Sequence, residues 1–295
     1  MPKRMLALLL LAPLAACVPA GNTPAPTAFG LRALNAVSGL AGVEVRRGIP
    51  YGPGERQRLD LYLPAAAASR PVFVFGYGGG FLSGDRGLYA FAGEAFASLG
   101  YPTVVYDYRL HPEVSFPATL EDPALAAAWA SRNAPGFGGD PDRLILAGHS
   151  AGAYAAAMLA ADPRYLRAAG LDPRKVAAVV GLSGGYDFGP PYPTEDIARV
   201  MAGAGRESQP ISFVDGSEPP FVIAHSRGDT LLAVEGARAM TRALRERGVR
   251  VVYLEYGGSD HSSPVAYLSR ALRGSSSLYR DLRDALDHLG LTPGG

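Results

Sequence analysis

Residues 143–161 read RLILAGHSAGAYAAAMLAA, and this stretch predicts more about the fold than any other part of the chain. An apolar run typical of a β-strand, Arg143–Ala147, precedes an alanine-rich run typical of a helix, Ala153–Ala161. The residues between them, Gly148-His149-Ser150-Ala151-Gly152, match the pattern G-x-S-x-G. Because the flanking glycines carry no side chains that would clash, a serine at such a sharp turn holds its hydroxyl away from the backbone. We therefore expect a strand–turn–helix unit in which Ser150 is a nucleophile.

A second match to the pattern, Gly181-Leu182-Ser183-Gly184-Gly185, also follows an apolar run. The residues just beyond it, Gly189–Pro193, contain three prolines. Proline lacks an amide donor and clashes with the preceding turn, so a helix cannot start there. Without a helix N-terminus behind it, Ser183 lacks the amides and the dipole that would stabilise an oxyanion. We therefore expect Ser183 to be a turn residue at the end of a strand.

The composition favours one large globular domain. The chain has 295 residues, a formal net charge of +1 and a single cysteine. One short apolar segment and no internal repeats are typical of a single domain of the larger α/β class. A charge near zero without a basic stripe argues against nucleic acid as a partner. The sequence leaves the oligomeric state open.

The N-terminus resembles a bacterial lipoprotein signal. Lys3-Arg4 is a short positive region, and the apolar run Met5–Ala12 is shorter than the roughly 20 residues that a membrane span needs. Two small residues, Ala15-Ala16, directly precede Cys17. In such signals the cysteine is diacylated, with palmitate-type chains, and becomes the new N-terminus. As the only cysteine, Cys17 has no partner for a disulfide bond.

We therefore expect residues 1–16 to be a signal peptide and Cys17 to anchor the protein to a membrane of the cell envelope. Val18 rather than aspartate follows the cysteine, which favours the periplasmic side of the outer membrane. The alternative is plain secretion with cleavage after Ala20. Residues 17–42 would then be a tether and an N-terminal extension, with a short amphipathic helix at Phe29–Leu40.

Residues 43–295 alternate between strand and helix patterns. The predicted strands are Val43–Val45, Arg58–Leu63, Pro71–Phe75, Thr103–Tyr106, Arg143–Ala147, Val176–Leu182, Pro220–Ala224 and Val251–Tyr256. The predicted helices are Leu88–Leu99, Ala124–Ala130, Ala153–Ala161, Leu232–Arg247 and Leu278–His288. Two leading antiparallel-type strands followed by β–α alternation predict a mostly parallel, doubly wound, eight-stranded sheet with helices on both faces. Ligands of such sheets bind outside the carboxyl ends of the strands.

Acyl transfer by a serine needs a base, and His261 is the predicted base among five histidines. It lies in the loop after the last predicted strand, where a triad of this chain order ends. We expect His149 to be a packing residue of the serine turn, His225 to brace a loop, and His288 to lie on the surface. The fifth, His111, precedes the serine in the chain.

The base needs a carboxylate that orients it, and Asp229 follows the strand Pro220–Ala224 at a suitable place. Asp187, after the preceding strand, is the alternative. Asp260 is the sequence neighbour of His261, and a neighbour generally cannot bend back to the ring nitrogen of that imidazole. We therefore expect Asp260 to be a surface residue.

Backbone amides are expected to bind the oxyanion. The glycine run Tyr77-Gly78-Gly79-Gly80-Phe81 follows a strand predicted to be buried, and its lack of side chains lets amides approach a carbonyl closely. Together with the amide of Ala151 at the start of the helix, Gly78 and Gly79 form a plausible pocket beside Ser150.

Five motifs in this order resemble the α/β-hydrolase carboxylesterases, and they cover about residues 43–288. They are Tyr77–Phe81 with Gly84, Gly138–Arg143, Gly148–Gly152, Asp229 and His261. The resemblance is strongest to the branch with kynurenine formamidase-like, prenylcysteine methylesterase-like and hormone-sensitive-lipase-like enzymes. It implies the α/β-hydrolase fold and a triad of Ser150, Asp229 and His261. It also implies a set of oxyanion donors, namely Gly78, Gly79 and Ala151.

Two positions depart from the family pattern. Many members carry histidine where this chain has Tyr77, so the support of the oxyanion loop differs. The formamidase pattern favours tryptophan near Phe81, which weakens an N-formylkynurenine assignment. The insertion at residues 184–214 is expected to form a short lid.

The expected function is hydrolysis of small acyl or aryl esters by a serine carboxylesterase that needs no metal or other cofactor. An arylformamidase is the alternative enzyme, because it would share the triad. A hydrolase fold kept as a binding module is the non-enzymatic alternative, and it is disfavoured because every catalytic position is filled.

Overall fold

The computed structural model describes residues 28–36, 42–65, 69–257 and 260–292. The predicted signal peptide, Cys17 and most of the predicted tether lie outside these described residues. Among the described residues, no helix combines the length and apolar character needed to cross a membrane.

Eight strands form one sheet in the order β1-β2-β4-β3-β5-β6-β7-β8. Strand β2 runs antiparallel to both of its neighbours. The six strands β3 to β8 run parallel to one another. The strands are β1 Val43–Pro50, β2 Arg58–Pro64, β3 Arg70–Gly76, β4 Thr103–Tyr106, β5 Gly139–His149, β6 Val176–Leu182, β7 Phe221–Ser226 and β8 Val251–Tyr256. The predicted eight-stranded, mostly parallel α/β sheet is therefore confirmed.

The helices found in the described ranges include all five that the sequence predicts from residue 43 onward. They are α1 Ala28–Ala36, α2 Ala90–Ser98, α3 Glu121–Asn133, α4 Ala151–Ala161, α5 Arg164–Ala168, α6 Glu195–Val200, α7 Val234–Glu246, α8 Ser263–Ala266 and α9 Leu278–His288. The short helices α5, α6 and α8 were not expected, because four to six residues are too few to show a helical period.

Nearly every residue of helix α4 is buried. Its alanine-rich sequence explains this burial, because small side chains let the helix approach the sheet closely. The parallel strands β3, β5, β6, β7 and β8 all point their carboxyl ends to one edge. Loops that are distant in the sequence therefore meet at the N-terminus of α4.

The N-terminal helix α1 packs on the domain. Leu31 and Leu34 are buried, and Asn35 donates to the carbonyl oxygen of Gly87 at 2.7 Å and accepts from the amide of Phe91 at 3.0 Å. The helix expected at Phe29–Leu40 thus covers Ala28–Ala36, and residues 37–41 lie outside the described residues. Although its sequence lies within the predicted extension, α1 contributes to the core.

Candidate active site

Ser150 occupies a strained turn between β5 and α4, with φ 53° and ψ −116°. The two flanking glycines are required by close backbone contacts. A Cβ on Gly148 would lie 2.3 Å from the carbonyl carbon of Gly152, and a Cβ on Gly152 would lie 2.0 Å from the carbonyl oxygen of Gly76. Because any side chain would collide with backbone, only glycine fits both positions. This is the geometry that the pattern predicts.

The structure brings Ser150, His261 and Asp229 into one hydrogen-bonded chain. His261 Nε2 lies 2.8 Å from Ser150 Oγ, and His261 Nδ1 lies 2.8 Å from Asp229 Oδ2. The three side chains come from the ends of β5, β7 and β8, and all three residues are buried. Such a series lets the imidazole take the hydroxyl proton while the carboxylate stabilises the resulting imidazolium.

Asp229 is contacted by two backbone amides and two histidine rings. Its Oδ1 accepts from the amides of Leu231 at 3.0 Å and Leu232 at 2.9 Å. Its Oδ2 is contacted by His261 and by His225 Nε2, the latter at 3.1 Å. Burial alone would raise the pKa of Asp229, but hydrogen bonds from His225 and His261 hold it below its ordinary value. The carboxylate therefore stays ionised at neutral pH.

His225 does more than the expected bracing of a loop, because it contacts the same carboxylate oxygen as His261. The carbonyl oxygen of Leu232 lies 2.8 Å from the same Nε2, so its single hydrogen is shared between this oxygen and the Asp229 carboxylate. A position directly before the Asp229 loop was the only sequence signal for this contact.

The alternative residues lie elsewhere. Asp187 forms a 2.5 Å ion pair with Arg206, and Asp260 accepts from the amides of the two residues after His261. Ser183 is a buried strand-end residue with φ 49°, and its hydroxyl has no hydrogen-bond partner among the described parts of the chain. None of these three side chains is hydrogen-bonded to His261.

The glycine run lies beside Ser150, as predicted. A Cβ on Gly78 would lie 3.0 Å from the Cβ of Ser150, and one on Gly79, where φ is 141°, would lie 2.1 Å from the carbonyl oxygen of Ser83. Gly78, Gly79 and Ala151 line the same cavity as Ser150. Gly80, with φ 64°, also lines it and is a further amide candidate that the sequence reasoning missed.

Arg56 supports the glycine loop through Tyr77, the residue that stands where the family pattern described above often has histidine. Its Nη2 donates to the hydroxyl of Tyr77 at 2.8 Å and to the carbonyl oxygen of Gly84 at 2.7 Å. Its Nε donates to the carbonyl oxygen of Tyr108 at 2.8 Å, and the rings of Tyr77 and Tyr108 stack at 4.3 Å. One guanidinium thus ties both ends of the glycine loop together. No local pattern marks Arg56 for this role.

A cavity of about 420 Å³ opens at Ser150 and is lined mostly by apolar groups. The insertion 184–214 contributes Phe188, Ile197 and Met201 to its wall, and α1 contributes Leu31. The segment expected to be a lid therefore forms part of the cavity wall. The contribution of α1 was not predicted, because it depends on how that helix packs.

Comparisons with known proteins agree with this architecture. A family model described as BD-FAE matches residues 59–244, which is more than half of the chain. Esterase LipC of Mycobacterium tuberculosis is 32% identical over 241 residues, covering 73% of this chain and 59% of LipC. The isoprenylcysteine α-carbonyl methylesterase of Arabidopsis thaliana is 29% identical over 279 residues, covering 84% of this chain and 64% of that protein. The chain thus spans about three-fifths of the length of these curated relatives.

Solved esterase structures share the fold. Esterase B from Lactobacillus rhamnosis superposes with a TM-score of 0.74 at 21% identity, covering 97% of each chain. Esterase 2 of Thermogutta terrifontis gives a TM-score of 0.71 at 21% identity, covering 88% of this chain and 98% of that one. Similarity at this identity establishes the α/β-hydrolase fold.

Proposed function

The chain belongs to the BD-FAE family of α/β-hydrolase esterases, and from this premise we propose that it is a serine carboxylic ester hydrolase. The observation that carries the proposal is the pair of 2.8 Å contacts that join Ser150, His261 and Asp229. The esterase names of the curated relatives support the same reaction class.

In the proposed mechanism His261 Nε2 takes the proton of Ser150, whose Oγ attacks the acyl carbon. Asp229 holds His261 in the tautomer that leaves Nε2 free to accept, and it stabilises the imidazolium that forms. His261 then returns the proton to the leaving alcohol, and a water molecule activated by the same imidazole releases the acyl group. No step requires a metal ion or another cofactor.

The amides of Gly78, Gly79 and Ala151 are the proposed donors to the tetrahedral oxyanion, with Gly80 as an additional candidate. Each preorganised donor lowers the barrier by roughly 3 kcal/mol, because it faces charge that develops only in the transition state. Their lining of the Ser150 cavity supports the assignment.

The proposed substrates are small acyl or aryl esters. A cavity of about 420 Å³ with mostly apolar walls suits a compact apolar group rather than a long chain. Turnover of p-nitrophenyl esters that rises steadily from short to long acyl chains would contradict this. Comparing phenyl acetate with N-formylkynurenine separates the ester hydrolase from the arylformamidase alternative.

The decisive experiment is labelling by a fluorophosphonate probe, which reacts with activated serines. Wild-type protein and Ser183→Ala should be labelled, whereas Ser150→Ala should not. Ser183 is a matched control because it lies in the same kind of sequence pattern. Wild-type protein that remains unlabelled and inactive towards esters would support the binding-module alternative.

We also propose that the protein is lipid-anchored through Cys17 in the cell envelope, on the strength of the sequence around that residue. The test is metabolic labelling with a palmitate analogue in a bacterial host, which should be lost in Cys17→Ser. Release of unlabelled wild-type protein into the soluble fraction would instead indicate plain secretion.

A further inference from the structure

His149, the middle residue between Gly148 and Ser150, makes two directed hydrogen bonds although it lies fully inside the protein. Its Nε2 lies 3.1 Å from the carbonyl oxygen of His261, and its Nδ1 lies 2.9 Å from the hydroxyl of Tyr89. Since a carbonyl oxygen only accepts, Nε2 carries the hydrogen. Burial and the neighbouring His261 lower the pKa of His149 to about 3, so the ring is neutral and Nδ1 accepts from Tyr89.

The other end of this connection reaches the glycine loop. Tyr89 is buried, and its hydroxyl oxygen would lie 3.0 Å from a Cβ on Gly78, while His149 Nδ1 would lie 2.6 Å from it. The ring of Tyr89 also lies 6.0 Å from the ring of Tyr77, the residue at which the glycine loop begins. The missing side chain of Gly78 is therefore what lets Tyr89 and His149 meet beneath the loop.

We propose that His149 is a positioning residue that, through Tyr89, holds the backbone of His261 at a set distance from the oxyanion loop. The inference rests on the proposed hydrolase function. Asp229 and Ser150 fix the imidazole ring of His261. The hydrogen bond from His149 to the carbonyl oxygen of His261 fixes the backbone that carries this ring. Because a misplacement of about 1 Å in a reacting group costs about 10²-fold in rate, the connection acts on turnover more than on binding.

Two variants break the connection at different bonds. Tyr89→Phe removes only the hydroxyl, and His149→Leu removes both hydrogen bonds while keeping a buried side chain. We expect kcat to fall about tenfold in Tyr89→Phe and about 10²-fold in His149→Leu, with KM changed less than threefold. His149→Gln keeps an amide N–H that can reach the His261 carbonyl, so it should recover part of the loss.

The double variant Tyr89→Phe/His149→Leu tests whether the two residues act as one unit. Its kcat should equal that of His149→Leu alone, because His149→Leu already removes the hydrogen bond that Tyr89→Phe would remove. Tyr62→Phe is the matched control. Tyr62 is a buried tyrosine on β2, and strands β4 and β3 separate β2 from β5. Loss of the Tyr62 hydroxyl should therefore leave kcat unchanged.

The inference is overturned if the kcat of Tyr89→Phe and of His149→Leu stays at the wild-type value, or if their effects add in the double variant. A lower thermal midpoint with unchanged kcat would show a purely structural role and also overturn it. Failure of the proposed function is a separate result, recognised when wild-type protein shows no hydrolysis that Ser150→Ala abolishes. Tyr89→Phe keeps the test valid if His149→Leu does not fold.

Discussion

Gly152 at the start of α4 lies so close to Gly76 at the end of β3 that a Cβ on Gly152 would sit 2.0 Å from the Gly76 carbonyl oxygen. This contact sets how deeply the helix N-terminus enters the sheet edge. It therefore also sets where Ser150 and the Ala151 amide stand relative to the glycine loop that follows β3.

Replacing Gly152 by alanine should destabilise the protein by about 3 kcal/mol, because the methyl group would force α4 away from β3. The displacement should also reduce ester turnover by moving Ser150. Urea unfolding and kcat measured on the same sample test both effects. Gly136→Ala is the matched control, since a Cβ there would meet nothing within 4 Å; equal stabilities for the two variants would contradict the prediction.

Replacing Asp229 by asparagine should lower kcat by about 10⁴-fold with little change in fold, because the amide favours the wrong tautomer of His261. Asp187→Asn should remain within a few-fold of wild type, because its carboxylate pairs with Arg206 instead. Steady-state hydrolysis of p-nitrophenyl acetate distinguishes the two. A larger loss in Asp187→Asn than in Asp229→Asn would reverse the assignment of the acid.

Replacing Arg56 by lysine should loosen the oxyanion loop. A single ammonium group cannot reach Tyr77, Gly84 and Tyr108 with the fixed fork of a guanidinium. We expect a stability loss of about 2 kcal/mol and a lower kcat. Arg46→Lys is the control, because Arg46 pairs with Glu44 at the exposed surface and should contribute little. An unchanged thermal midpoint in Arg56→Lys would contradict this role.

Replacing Ile197 by tryptophan should narrow the cavity from the side of α6. The KM for p-nitrophenyl hexanoate should rise severalfold, while hydrolysis of the acetate ester in the same variant should change little. The acetate measurement is the internal control for the catalytic groups. An equal effect on both esters would show that Ile197 does not face the bound acyl group.

Acidification should destabilise the protein through His149, whose pKa is lowered from its ordinary value of 6.5 to about 3. Between these values the unfolded chain binds a proton that the folded protein does not, so stability rises with pH across this window and is lost as pH falls. The groups that act on His149 are His261, Asp229 and His225, with Tyr89 at its Nδ1.

The expected loss from this residue between pH 7.5 and pH 5 is about 2 kcal/mol. Urea unfolding of His149→Gln at the same two pH values should show a pH-dependent loss smaller by that amount. For each protein, the free energy of unfolding at pH 5 is subtracted from that at pH 7.5. Comparing this difference between wild type and His149→Gln cancels the titration of the other groups. Equal pH dependence in both proteins would show that folding leaves the pKa of His149 at its ordinary value.

Several elements of the site could be predicted because they depend on neighbours in the sequence. The turn at Ser150 requires glycines two positions away on each side, and proline after Ser183 excludes a helix there. Strand and helix periods likewise act over a few residues, so the eight strands and the long helices were predicted correctly, although β1 and β5 extend further than expected.

The sequence by itself determined the order of the elements, the strand–turn–helix unit around Ser150 and the strand ends at which polar groups would gather. Only the tertiary structure decided which of those groups touch. Ser150 and His261 meet across 111 residues, and His149 reaches Tyr89 across 60 residues, through a parallel sheet that gathers separate loops at one edge. Steric rules for the backbone act between residues that are neighbours in the sequence. The side chains that support this site are distant in the sequence, and only the packing of α1, α4 and the glycine loop brings them together.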